Sequence, residues 1–149
     1  MRGELKIALI HYYDFLTAYQ NLLRDGGEWY GIDVTSTTGD VVFNQWGPVR
    51  GQIATVGKRF DDRDVIHLLS YRNATHLDWC DTNANQGEPD LLEAVNVSFA
   101  VKQNPKAVWV ASPDVKDGVA IPLEYEYAGG KITTTLPALK YWDMIVVEY

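Results

Sequence analysis

The apolar residues of this chain change period once, near Trp29, and do not change back. From Glu4 to Arg24, Leu5, Leu9, Tyr12, Leu16, Tyr19 and Leu23 recur at steps of three and four residues, the spacing that marks one face of an amphipathic helix. Asp25-Gly26-Gly27 then supplies a stop signal, since glycine takes the left-handed backbone that closes a helix. Ile7, Ala8, Ile10, Tyr13, Phe15 and Leu22 lie off that stripe. An apolar surface this wide predicts a helix with partners on more than one side.

Beyond Trp29 the period is two. Strands are predicted at Ile32–Ser36, Gly51–Arg59, Val65–Tyr71, Glu93–Val101, Ala107–Ala111, Leu123–Tyr127, Lys131–Thr135 and Met144–Tyr149. Turn signals separate them, among them Thr38-Gly39-Asp40, Trp46-Gly47-Pro48, Asp61-Asp62, Asn104-Pro105 and Asp117-Gly118. Over Glu124–Thr135 two alternating runs flank Ala128-Gly129-Gly130, which predicts a hairpin. One helix followed by strands alone predicts a mainly β fold, an antiparallel β-sandwich of Greek-key type preceded by a single N-terminal amphipathic helix. The division expected is residues 1–26 for the helix and 27–149 for the sandwich. The closing run LPALKYWDMIVVEY, Leu136–Tyr149, is expected to lead through a turn fixed by Tyr141 and Asp143 into a buried last strand. A lone helix ahead of nothing but strands also reads as part of a larger protein.

A formal charge of −7 excludes a nucleic-acid backbone or an anionic membrane surface as the expected partner, because both select clustered lysine and arginine. No apolar run approaches the roughly 20 residues of a membrane-spanning helix, and no basic stretch leads into an apolar one as in a signal peptide. Cys80 is the single cysteine, so no internal disulfide can form. It has no adjacent cation to lower its pKa and reads as inert. His11, His67 and His76 lack the spacing of a zinc site, and His67 within VIHLLSY reads as a satisfied sheet histidine. There is no phosphate loop and no nucleophile elbow. Five tryptophans and nine tyrosines are read first as sheet filling and second as a stacking surface for sugar rings. Trp142 is expected in the core or at a domain contact, and Trp109 fits either face.

One segment has no strand period, Asn73–Asp90, NATHLDWCDTNANQGEPD. Loops beyond about 12–15 residues are usually functional or disordered. Leu77 and Trp79 are expected to anchor this one, so it is read as ordered. Asp81, Asn83 and Asn85 alternate like the first ligands of an EF-hand loop, but Gln86 stands where that loop needs glycine and Leu92 where it needs the bidentate glutamate. No cofactor is therefore expected, with calcium a weak candidate against ordinary Asx-turn chemistry. In the second reading Trp79 stacks on a sugar while Asp78, Asp81 and Asn83 bond its hydroxyls. No pair of carboxylates declares itself as the acid and base of a glycosidase, so no catalytic residue is assigned.

Four strings carry a family resemblance: Asp64-Val-Ile-His-Leu-Leu-Ser-Tyr71, Trp79-Cys-Asp-Thr-Asn83, Val108-Trp-Val-Ala-Ser-Pro-Asp114 and Leu136-Pro-Ala-Leu-Lys-Tyr-Trp-Asp-Met-Ile-Val146. Together they resemble the C-terminal region of glycoside hydrolase family 66, the dextranases and cycloisomaltooligosaccharide glucanotransferases. Tyr12–Asp25 is similar to the end of that family's catalytic barrel domain. The resemblance implies a secreted bacterial parent acting on α-1,6-glucan by a retaining mechanism, with its catalytic carboxylates on a (β/α)8 barrel. A barrel takes about 200–250 residues, more than this chain holds, so the resemblance places no catalytic residue here. It implies instead a β-domain that stabilises and orients the barrel as its partner. The implied contacts of the N-terminal helix are that barrel or, in isolation, a second copy of the chain, and α-glucan is the implied ligand of the domain.

Overall fold

In the computed structural model, which describes residues 3–149, the single change of period marks the boundary between helix and sheet. Helix α1 (Gly3–Ala18) and the short α2 (Gln20–Leu23) precede eleven strands. The strands are β1 (Glu28–Tyr30), β2 (Val34–Thr35), β3 (Phe43–Gln45), β4 (Ile53–Arg59), β5 (Arg63–Ser70), β6 (Leu92–Ala100), β7 (Ala107–Ala111), β8 (Ile121–Pro122), β9 (Tyr125–Ala128), β10 (Lys131–Leu139) and β11 (Trp142–Glu148). A 3-10 turn at Lys116–Gly118 lies between β7 and β8.

The strands form two sheets. The larger runs β1-β4-β5-β11-β7-β8, with β3 attached to β4, and the smaller runs β2-β6-β10-β9. All neighbours are antiparallel except β3 and β4. The predicted hairpin is β9–β10, where Gly129 and Gly130 both take positive φ, 59° and 77°, the geometry a two-residue turn needs to match the strand twist. β1, β3 and β8 were missed in the sequence because two or three residues are too few to show a period.

The main core fills the space between the sheets with Ile53, Ile66, Leu68, Val95, Val97, Phe99, Ile132, Leu136, Ile145 and Val147. A second cluster lies on the outer face of the larger sheet, where Phe15 and Leu22 pack on Val65, Ala111, Met144 and Val146. β5 and β11 are thus covered on both faces, which is why VIHLL and MIVV read as continuous apolar runs rather than alternating ones. Tyr149 closes the main core, and its hydroxyl donates to the buried Asp64 at 2.8 Å. Arg59 binds the same carboxylate through two hydrogen bonds of 2.9 and 3.1 Å.

The helix docks by part of the stripe its period suggests, shifted toward Phe15. Phe15 and Leu22 are buried and Tyr12 and Tyr19 are half-buried, whereas Leu5, Leu9 and Leu16 of the expected stripe are exposed. The sheet selects the aromatic side. Phe15 meets the edge of Trp142 with ring centroids 4.9 Å apart, and the Tyr19 hydroxyl donates to the Gly118 carbonyl at 2.7 Å. Gly118 has φ of 77°, and a Cβ there would stand 2.9 Å from the Phe15 ring. That contact admits only glycine.

Candidate functional site

The segment 73–90 is an ordered loop, but its polar residues hold it. Asp81 accepts the backbone N–H groups of Asn85 and Gln86 at 3.0 and 2.9 Å, closing the tip. These bonds favour the ionised form and hold Asp81 below the usual carboxylate range. The Gln86 side chain spans the loop, accepting the Thr75 N–H at 3.1 Å and donating to the His76 carbonyl at 3.2 Å. At the base Asn73 donates to the Glu88 carbonyl at 3.2 Å and to Asp90 at 2.9 Å. The His76 ring lies between Asp78 and Asp81, 3.4 and 3.5 Å from their carboxylates.

Leu77 and Trp79 do not anchor the loop. Trp79 is 98% exposed and Leu77 is exposed beside it. A loop that satisfies its backbone through Asp81, Gln86 and Asn73 has no need of an apolar plug, so its large side chains are free to face outward. Asp78 and Asn83 share the exposed tip with Trp79, whereas both oxygens of Asp81 are already occupied. Cys80 is also exposed. Among the described residues, no group of three or more His, Cys, Asp or Glu is arranged to hold a metal ion.

Two titratable groups are buried within the larger sheet. His67 accepts the Trp142 indole N–H at Nδ1, 3.2 Å away, but its Nε2 has no hydrogen-bond partner, so this histidine is only half satisfied. Burial, with the nearby Lys58 ammonium, pushes its pKa down to about 4. Asp143 faces the interior, and neither carboxylate oxygen has a hydrogen-bond partner. Ser112 is close by, but its hydroxyl proton goes to the Trp142 carbonyl at 2.7 Å. Burial therefore dominates and raises the Asp143 pKa to about 8, with Asp114 adding to the effect. The turn before β11 is fixed by Asp114 rather than by Asp143. One Asp114 oxygen accepts the Tyr141 and Trp142 N–H groups at 3.1 and 2.9 Å, and the other accepts the Tyr12 hydroxyl at 2.8 Å.

This hub joins three segments distant in sequence, and the string VWVASPD gave no sign of it. Trp142 is half-buried against Phe15, and Trp109 is half-buried with its indole donating to Glu148 at 2.9 Å. Lys140 pairs with Glu88. Asp64, Asp81 and Asp114 are all committed to structural bonds.

The sequence pattern of glycosyl hydrolase family 66 matches residues 1–146. Two cycloisomaltooligosaccharide glucanotransferases of Niallia circulans are 29% and 28% identical to the chain, in alignments 160 residues long that cover 99% of it. The chain spans only 16% of the length of these relatives. It also superposes on the crystal structure of a Paenibacillus sp. cycloisomaltooligosaccharide glucanotransferase complexed with cycloisomaltoheptaose, with a TM-score of 0.85 and 28% identity over 98% of this chain and 21% of that one. An α-L-fucosidase isoenzyme 2 from Paenibacillus thiaminolyticus, 18% identical, shares the fold with a TM-score of 0.50 over 89% of this chain and 16% of its own.

Proposed function

The chain belongs to glycosyl hydrolase family 66, and from that membership we propose that it is a non-catalytic β-domain of an α-1,6-glucan-acting hydrolase or glucanotransferase, stabilising and orienting a catalytic barrel. Residues 27–149 would form the domain and residues 1–26 its contact with the barrel. The observation that carries the reading is the outward face of α1. Leu5, Ile7, Leu9, Ile10, Tyr13 and Leu16 are all exposed, although Phe15 on the same helix is buried. A patch of this kind is costly in water and marks an interaction surface.

The test is a chimera in which this chain replaces the matching segment of the Paenibacillus glucanotransferase. Leu9→Glu/Leu16→Glu is expected to lower the temperature at which the chimera loses activity, while leaving the fold of the isolated chain intact. Equal thermal inactivation of the two chimeras would overturn the proposal, as would turnover of dextran by the 149-residue chain alone.

A second reading is a carbohydrate-binding module in its own right, favoured by the full exposure of Trp79 on a loop stiffened from beneath. Trp79 would stack on a glucosyl ring, with Asp78 and Asn83 free to bond its hydroxyls and Asp81 holding the loop in shape.

A further inference from the structure

Aspartate precedes glycine at Asp25-Gly26 and again at Asp117-Gly118, and the fold treats the two steps differently. Glycine has no side chain to shield its nitrogen, so that nitrogen can close on the carboxyl of the preceding aspartate. The ring forms only where the peptide between them can turn and the glycine N–H is not held elsewhere.

Asp25-Gly26 meets both conditions. It lies just past α2, and both residues are exposed. The Gly26 N–H has no hydrogen-bond acceptor among the described residues. The Phe60 ring is the nearest group to where a Gly26 Cβ would stand, and at 3.8 Å it leaves the peptide room to turn.

Asp117-Gly118 meets neither. The Gly118 N–H donates to the Val115 carbonyl at 3.2 Å, and the Gly118 carbonyl accepts the Tyr19 hydroxyl. Gly118 is buried beneath the Phe15 ring, with no space for even a Cβ. Two of these three restraints come from the docked helical segment. Exposure does not separate the two steps, because the Asp117 side chain is 81% exposed.

We propose that Asp25 is a site of spontaneous isoaspartate formation, and that the docked helix keeps Asp117 from the same reaction. The Gly26 nitrogen attacks Cγ of the Asp25 carboxyl. A C–N bond forms, and the carboxyl OH leaves as water with the amide hydrogen. Water then adds to one of the two imide carbonyls and breaks its C–N bond. Opening at the main-chain carbon leaves the chain running through Cγ, whereas opening at Cγ restores aspartate. The mass returns to its starting value, and no oxidant or cofactor takes part. Both reacting groups belong to adjacent residues, so nothing but water has to reach them.

The product adds one main-chain atom between two fixed points. On one side the Lys58 ammonium holds the Leu23 carbonyl at 3.1 Å. On the other, Gly27 is seated so closely that a Cβ would stand 3.0 Å from the Phe60 ring and 3.1 Å from the Arg59 carbonyl. Isoaspartate at 25 therefore loosens the end of the helical segment from β1.

The test is to age the 149-residue chain in buffer and in urea, then measure isoaspartate at each site by enzymatic methylation of the separated peptides. In buffer Asp25 is expected to convert at least about tenfold faster than Asp117. In urea the two rates should converge. Phe15→Ala is expected to raise the Asp117 rate in buffer, and Tyr19→Phe, which deletes one hydroxyl and keeps the ring, should move it the same way. Equal rates in buffer would overturn the proposal, as would an Asp25 that converts in urea but not in buffer. A gap that persists in urea would assign the difference to local sequence and overturn the role of the fold. An Asp117 rate unmoved in both variants would remove the helix from the account.

Discussion

Asp143 and His67 set how this fold responds to pH, and they pull in opposite directions. The Asp143 pKa rises from 3.8 unfolded to about 8 folded, so its contribution is complete below about 4 and is lost as pH rises through 8. The His67 pKa falls from 6.5 to about 4, so its contribution is present above 6.5 and is lost as pH falls through 4. Each slope is about 1.4 kcal/mol per pH unit. Between pH 4 and 6.5 the two oppose each other, and above 6.5 only the Asp143 slope remains. Urea unfolding is therefore expected to show stability falling by about 2 kcal/mol from pH 6.5 to 8, and Asp143→Asn should abolish that fall. An unchanged slope in the variant would show that Asp143 is not the group responsible. Neither effect was visible in the sequence, where Asp143 stood as a turn residue and His67 as an ordinary sheet histidine. Burial of both follows from which face of β5 and β11 each side chain occupies.

At the scale of elements, the helix and the long loop are both legible in the sequence, but only part of what holds each is. Tyr12 and Tyr19 of the stripe and the Asx turn at Asp81 make the expected contacts, whereas Leu5, Leu9 and Leu16 of the helix and Leu77 and Trp79 of the loop do not. The apolar period of α1 defines a stripe, but the sheet beneath it offers a flat strip of Val65, Met144 and Val146 that takes Phe15 instead. Phe15→Ala is expected to cost about 3–5 kcal/mol and to release the helix, seen as early proteolysis within the first 25 residues or so while the β-sandwich persists. If unfolding is unchanged, the helix is not held by Phe15. In the loop, Asp81→Ala removes the acceptor for two backbone N–H groups. Amide exchange at Asn85 and Gln86 should accelerate at least about tenfold, with the global midpoint nearly unmoved, because the loop stands outside the core. Protection that survives the substitution would assign the loop's order to other contacts.

At the scale of the whole molecule, the exposed apolar face of α1 governs how the chain behaves in solution. Light scattering of the isolated chain is expected to show a dimer that Leu9→Glu/Leu16→Glu converts to a monomer, because pairing with a second copy hides the same patch. A strict monomer at high concentration would count against that surface. Tryptophan fluorescence tests the carbohydrate-binding reading: quenching by isomaltooligosaccharide is expected to be abolished in Trp79→Ala, and no response at millimolar sugar would overturn a contact at the loop tip.

The mainly β fold, its N-terminal helical segment, most of its strands and its membership of family 66 follow from the residues in order. Period and turn chemistry act over a few neighbours, and four short strings carry the family's pattern. Which face of the helix is buried, which loop residues are free and how Asp114 ties Tyr12 to Trp142 follow only from the folded chain. Those facts depend on segments up to 102 residues apart meeting in space, and local spacing carries no record of that.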